Sequence, residues 1–148
     1  MNQSESIAKL ATALSIVQGK LTHAKKDSAN PFFKSKYADL ESVWDACRSL
    51  LAENGLCVMQ FPGEFLEGCM SLNTILAHSS GEYIKQTMEV PVTKLDPQGA
   101  GSALTYMRRY ALAAVVGVVQ ADDDGNAASA PKQVKSSQSM KSVSEDIL

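Results

Sequence analysis

The chain has 148 residues, 45% hydrophobic and 20% charged, which fits one domain with a real core plus some tail. With 14 basic against 16 acidic residues the net charge is −2, so nucleic-acid binding through overall charge is excluded and any such role must rest on a local patch.

Ile7, Leu10, Leu14, Val17 and Leu21 recur at spacings of three and four and predict an amphipathic helix from about Ser4 to Thr22, with Ser4 as its cap. The stretch H-A-K-K-D-S-A-N-P-F-F-K-S-K-Y that follows is polar, lysine-rich and broken by Pro31, which reads as a loop. Lys20, Lys25, Lys26, Lys34 and Lys36 cluster there against Asp27 alone, interleaved with Phe32, Phe33 and Tyr37. Ammonium groups meet phosphates and rings offer stacking surfaces, so this pattern suits single-stranded nucleic acid. The plainer alternative is that the phenylalanines anchor the loop to the core while the lysines are solvated.

Asp39 caps a second helix with apolar positions Leu40, Val43, Trp44, Cys47, Leu50 and Leu51, ending at Asn54 and Gly55. Trp44 lies on the apolar face and belongs to the core rather than to a base-stacking platform. Three strands are then predicted: Leu56 to Phe61, closed by Pro62 and Gly63; Cys69 to Ala77; and Tyr83 to Val90, with a Ser-Gly turn over 78–82. Such short links demand an antiparallel meander with one face covered by helix and the other, carrying Tyr83 and Lys85, left open. His78 has no supporting acid in view and reads as a turn residue.

The densest signal lies between Asp96 and Asn126. Asp96 can cap a helix and Pro97 suits its first position. At about 100° per residue, Ala100, Ala103, Leu104, Met107, Ala111, Ala114, Val115 and Val118 share a core face. Ser102, Thr105, Tyr106 and Arg109 lie opposite, with Arg108 flanking. Gly99, Gly101 and Ser102 form a small-residue strip open to a close neighbour, and Leu112 and Ala113 fall off the expected core face, surface suited to contact between copies. Beyond the helix, Asp122, Asp123 and Asp124 open D-D-D-G-N, which resembles half of a calcium loop. The closing Glu position holds Pro131, so no metal ligand set is assigned. The aspartates sit badly for the dipole of the preceding helix and are expected to pair with basic residues.

G-S-A-L-T-Y-M-R-R-Y-A-L followed by D-D-D-G-N-A-A resembles the signature region of the Erf-type phage single-strand annealing proteins. K-S-K-Y-A-D-L, from Lys34 to Leu40, resembles that family's other short motif, and L-A-H-S-S-G-E lies where its hairpin is expected. The resemblance runs from about Asn30 to Ala128. It implies annealing of single-stranded DNA in homologous recombination and head-to-tail rings or filaments. The annealed duplex is then a second ligand, and a single-strand binding protein or an exonuclease is a further candidate partner.

The independent element order agrees: an α+β fold, a three-stranded antiparallel β-meander covered by helices, compatible with the β-β-β-α core of annealing proteins. No G-x-x-x-x-G-K-[ST] loop is present, so no cofactor is assigned and the work must come from binding alone. Candidates for a basic groove are Lys34, Lys36, Lys85, Arg108 and Arg109, supported by Lys25, Lys26, Tyr37 and Tyr106, while Asp122, Asp123 and Asp124 could meet the basic loop of a neighbouring copy. A structural salt bridge is the plain alternative for the arginine pair. The rival classes are a metal-dependent nuclease built on the three aspartates and a structural or interaction oligomer without DNA activity.

Two boundaries complete the reading. Residues 1–128 are expected to form the DNA-binding domain and 129–148, Ser- and Lys-rich, a flexible tail. The start lacks an apolar signal-peptide core and Ala111 to Val119 is too short to span a bilayer, so a cytoplasmic protein, in a bacterial host, is expected. Cys47, Cys57 and Cys69, with no C-x-x-C spacing, read as core thiols in a reducing compartment.

Overall fold

Alternating residues joined by links too short for a crossover build the sheet on which the other elements rest. A computed structural model describes residues 2–24, 28–29 and 36–119, with side chains excepted at 28–29 and 36–37. The elements are β1 (Asn2–Gln3), α1 (Ala8–Lys20), β2 (Ser28–Ala29), β3 (Lys36–Tyr37), α2 (Leu40–Glu53), β4 (Leu56–Leu66), β5 (Cys69–His78), β6 (Tyr83–Pro91) and α3 (Pro97–Val116). The fold is α+β, with the expected meander β4-β5-β6 fully antiparallel.

The sheet has four strands rather than three, in the order β1-β6-β5-β4. The added strand pairs Asn2 with Lys85 and Gln3 with Ile84. Two residues are too few to display a period of two, so the sequence carries no sign of it.

β4 also runs past Pro62 and Gly63, which the sequence marks as its end. Because β4 lies at the sheet edge, a residue without an amide hydrogen is tolerated there, and a register shift between Pro62 and Phe65 absorbs the Pro-Gly pair as a bulge. The true turn is Glu67-Gly68, both at positive φ (51° and 77°), between the paired Leu66 and Cys69. Two left-handed residues in succession are what a tight two-residue hairpin requires.

α1 is shorter than expected and is not capped by Ser4. Ser4 instead joins the sheet edge: its Oγ accepts the Tyr83 amide at 3.0 Å, and its own amide donates to the Tyr83 carbonyl. The first turn of α1 is capped across the fold. Glu82 accepts from the Leu10 amide at 2.8 Å and from the Ser6 hydroxyl at 3.1 Å. The Leu10 bond, followed by those from Ser6 and Lys9, holds the Glu82 carboxyl below its ordinary value of 4.5. A depressed folded value means that the contribution is fully present above pH 4.5 and is lost as pH falls through the folded value. Thermal melts from pH 7 to pH 3 should therefore show a falling midpoint below about pH 4.5. Glu82→Gln should begin lower and fall less steeply; parallel curves for the two proteins would contradict the assignment.

α2 behaves as its sequence predicts: Asp39 accepts from the Ser42 amide at 2.9 Å, and the helix ends at Asn54. The core gathers Leu10 and Val17 of α1, Val43, Cys47 and Leu51 of α2, Leu56 and Leu76 of the sheet, and Leu112 and Val116 of α3. Full burial of each large aliphatic side chain contributes about 1.5–3 kcal/mol. Trp44 packs half-buried against this cluster, as its position on the apolar face implies. Of the three cysteines expected inside, only Cys47 is fully buried, and burial pushes its thiol up to about 11; Cys57 is exposed and Cys69 half-buried.

α3 departs from its predicted face in its second half. Met107 is buried as expected, but Leu112 (0% exposed), Ala113 and Val116 are core residues, while Ala114 faces out. α3 packs against all three strands of the meander. The last turns are also covered by α1 and α2: Gln18 of α1 donates to the Val116 carbonyl at 3.1 Å, and α2 packs along α3. One helix thus buries different flanks at its two ends, which a single helical wheel averages away. Leu112 and Ala113 are therefore not available as a contact surface between copies.

Among the described residues no helix is long and apolar enough to cross a membrane. Lys25, Lys26, Phe32, Phe33, Lys34, Asp122, Asp123, Asp124 and the expected tail from 129 lie outside the described residues.

Candidate nucleic-acid interface

The site is built on α3, whose entry is fixed by a tight junction with the end of β6. Asp96 Oδ1 accepts the Gly99 amide at 2.7 Å, and Asp96 Oδ2 meets Lys94 Nζ at 3.0 Å. The Gly99 amide first, then Lys94, hold the Asp96 carboxyl below its ordinary value. A Cβ on Gly99 would collide with the Lys94 carbonyl, so the small residue there serves the junction within the chain, whereas Gly101 faces open space. Gly99→Ala should consequently lower the melting temperature. Gly101→Ala should raise stability by about 0.5–1 kcal/mol, because an unstrained helical site gains when glycine is removed. Equal shifts for the two variants in denaturant melts would contradict this junction.

Two turns along, Tyr106, Arg109 and Tyr110 lie on one flank. The rings of Tyr106 and Tyr110 are 4.4 Å apart at 43°, and the Arg109 guanidinium sits 4.8 Å from the Tyr110 centroid and 5.9 Å from that of Tyr106. Those distances are within cation–π range. Arg109 Nη1 also donates to the Ala38 carbonyl at 3.3 Å. Ala38, fully buried, directly follows β3, which pairs with β2 through Ser28 with Tyr37 and Ala29 with Lys36. The stretch read from sequence as pure loop thus contains a two-stranded ribbon, too short to leave a periodic trace, and its foot is tied to Arg109.

Arg108 is half-buried on the other flank, and its carbonyl accepts from Gln60 Nε2 at 3.1 Å. The same Gln60 nitrogen reaches Thr74 Oγ1 at 3.3 Å, so a polar side chain on the helix-covered face of β4 pins α3 to the sheet. Sequence reasoning missed Gln60 and Ala38. Gln60 alternates in phase with the core residues Leu56 and Val58, a polar residue at an apolar position, which is the signal that could have found it.

Lys85 does not join this group. It pairs with Ile75 in β5, one residue out of phase with Leu76 and Ile84, which face the core under the helices. Lys85 and Tyr83 therefore stand on the open face, as expected from the alternation, with the sheet between them and the α3 arginines. One copy of the chain does not bring Lys85, Arg108 and Arg109 into a single groove. His78 is engaged by its own turn, with Ser80 Oγ at 2.9 Å from Nδ1 and the Ser80 amide donating to the same nitrogen. Among the described residues, no three His, Cys, Asp or Glu side chains are grouped so as to hold a metal ion.

The family model of the ERF superfamily matches residues 10–147. The chain belongs to the ERF superfamily. Its match takes in α1 from Leu10 onward, α2, the meander and α3, together with the segments carrying Lys25, Lys26, Lys34 and the three aspartates. No curated protein and no solved structure matches this ERF chain.

Proposed function

We propose that this ERF chain is an ATP-independent single-stranded DNA-binding and annealing protein of phage-type homologous recombination. The observation that carries the reading is the bond from Arg109 to the Ala38 carbonyl. It sets the foot of the lysine-bearing ribbon beside Arg109, so a basic stretch and a helix residue 71 positions apart in sequence meet at one flank of α3, with Arg108 on the other. Phosphates gripped along that flank would leave base edges free to pair. In this reading Lys34, Lys36, Arg108 and Arg109 contact phosphate, Lys25 and Lys26 extend the basic ribbon, and Tyr37 and Tyr106 offer rings. Lys85 serves strand contacts on the opposite sheet face or in a neighbouring copy.

A domain of this size makes few phosphate contacts, and a homo-oligomer, ring or filament, would hold a long strand by multivalency. Gly101 and Ser102, both exposed, remain candidates for the contact between copies, with Asp122 to Asp124 meeting the basic segment of a neighbour. The test is pairing of complementary labelled strands without ATP, in the presence and absence of magnesium. Accelerated duplex formation with both strands intact supports annealing. Cleaved product with magnesium would replace this reading by a nuclease, and neither effect would leave a structural oligomer.

A further inference from the structure

Between the first half of α3 and the end of β6 runs a groove of about 480 Å³, within the range of about 300–1,000 Å³ typical of small-ligand sites. One wall is the helical row Gln98, Ser102 and Tyr106, four residues apart each time and so aligned on one flank. The other wall is the stretch from Val90 to Lys94. At the upper end stands the Tyr106 ring, 48% exposed. A single exposed aromatic is unremarkable in itself. Here, however, the ring is backed by Tyr110, which in turn carries Arg109, itself bonded to the buried Ala38. A ring already held in place loses little rotamer freedom when something stacks on its free side.

We infer that this groove is a nucleobase subsite, in which one unstacked base of single-stranded DNA lies on Tyr106. The inference rests on the single-strand-binding reading above and adds to it the groove that holds the base on the Tyr106 ring. Gln98, Ser102 and Thr93 present amide and hydroxyl groups that both donate and accept, so they satisfy the edge of any base without selecting one. Cations flank the row at both ends, Arg109 beyond Tyr106 and Lys94 at the mouth, where its side chain is 66% exposed. The nearby carboxylate, Asp96, keeps one oxygen on the Gly99 amide, so the helix cap survives when Lys94 turns to a phosphate. This charge arrangement favours a polyanion carrying flat bases over the apolar side chain of a second copy. A base in the groove is withheld from pairing until a complementary strand competes for it.

The test uses the full chain with dT oligonucleotides bearing either one 2-aminopurine or one 5-iodouracil. Wild-type protein should change 2-aminopurine fluorescence on binding and form a photo-crosslink at Tyr106. Tyr106→Ala should weaken binding by about 5- to 150-fold with the salt slope unchanged, whereas Tyr106→Phe should keep both affinity and fluorescence change. Ser102→Phe, which fills the groove one turn before Tyr106 on the same flank, should abolish the crosslink with an unaltered melting temperature. Wild-type binding with a normal salt slope, together with Tyr106→Ala and Ser102→Phe proteins that bind as wild type, would overturn the base subsite and leave the phosphate reading standing. Absence of single-strand binding by wild-type protein at low salt would overturn both. Loss of binding by Tyr106→Ala that coincides with a fall in particle mass would assign the groove to a second copy and overturn the subsite.

Discussion

Leu112→Glu is expected to unfold the domain. The side chain is fully buried in the cluster that joins α3 to α1, α2 and the sheet. Truncation alone, Leu112→Ala, should cost about 2–5 kcal/mol through lost transfer energy and the cavity left behind. A carboxylate at the same place adds the desolvation of an unpaired charge, several kcal/mol more. Against a total stability of about 5–15 kcal/mol, the sum removes most or all of the folded population. Ala114→Glu, two residues on and facing out, should change stability by no more than about 0.5 kcal/mol. Urea melts followed by circular dichroism distinguish the two. A Leu112→Glu protein with a wild-type midpoint would mean that α3 is rotated from the arrangement described.

The second large effect concerns DNA. Lys34→Ala, Lys36→Ala, Arg108→Ala and Arg109→Ala should each weaken single-strand binding about equally for all sequences. Each should also flatten the slope of log K against log salt by about 0.7. Arg109 differs from the others because its guanidinium also holds the Ala38 carbonyl and lies against Tyr110. Arg109→Ala should therefore lower the melting temperature as well. Arg109→Lys should restore the charge and much of the slope without restoring the ring contact, since an ammonium lacks the planar guanidinium face. Titration by fluorescence anisotropy at several salt concentrations provides the slopes. Four unchanged slopes would remove these residues from the phosphate-binding set.

Elements whose cause is local were legible in the sequence. Asp39 and Asp96 cap their own helices three residues on, and alternation with short links dictates the meander and its open face. What was not legible depends on partners distant in sequence. Glu82 caps α1 from the far end of the sheet, and Asn2–Gln3 is a strand only because β6 offers an edge. The face of α3 changes along its length because Leu112, Ala113 and Val116 near its end join a core cluster with residues of α1 and α2. The site divides the same way: Arg108, Arg109 and Tyr106 were found from their helix, whereas the tie to Ala38 and the separation from Lys85 required the fold.

The distant cap on α1 has a consequence for how the chain is assembled. The Leu10 amide and the Glu82 carboxylate are 72 residues apart, and α1, with 13 residues, is too short to hold its own structure in water. During synthesis α1 leaves the ribosome long before its cap exists, whereas the β4-β5 and β5-β6 hairpins close over short turns as soon as they emerge. The capped form of α1 is therefore reached only once the β5-β6 turn that carries Glu82 has been made.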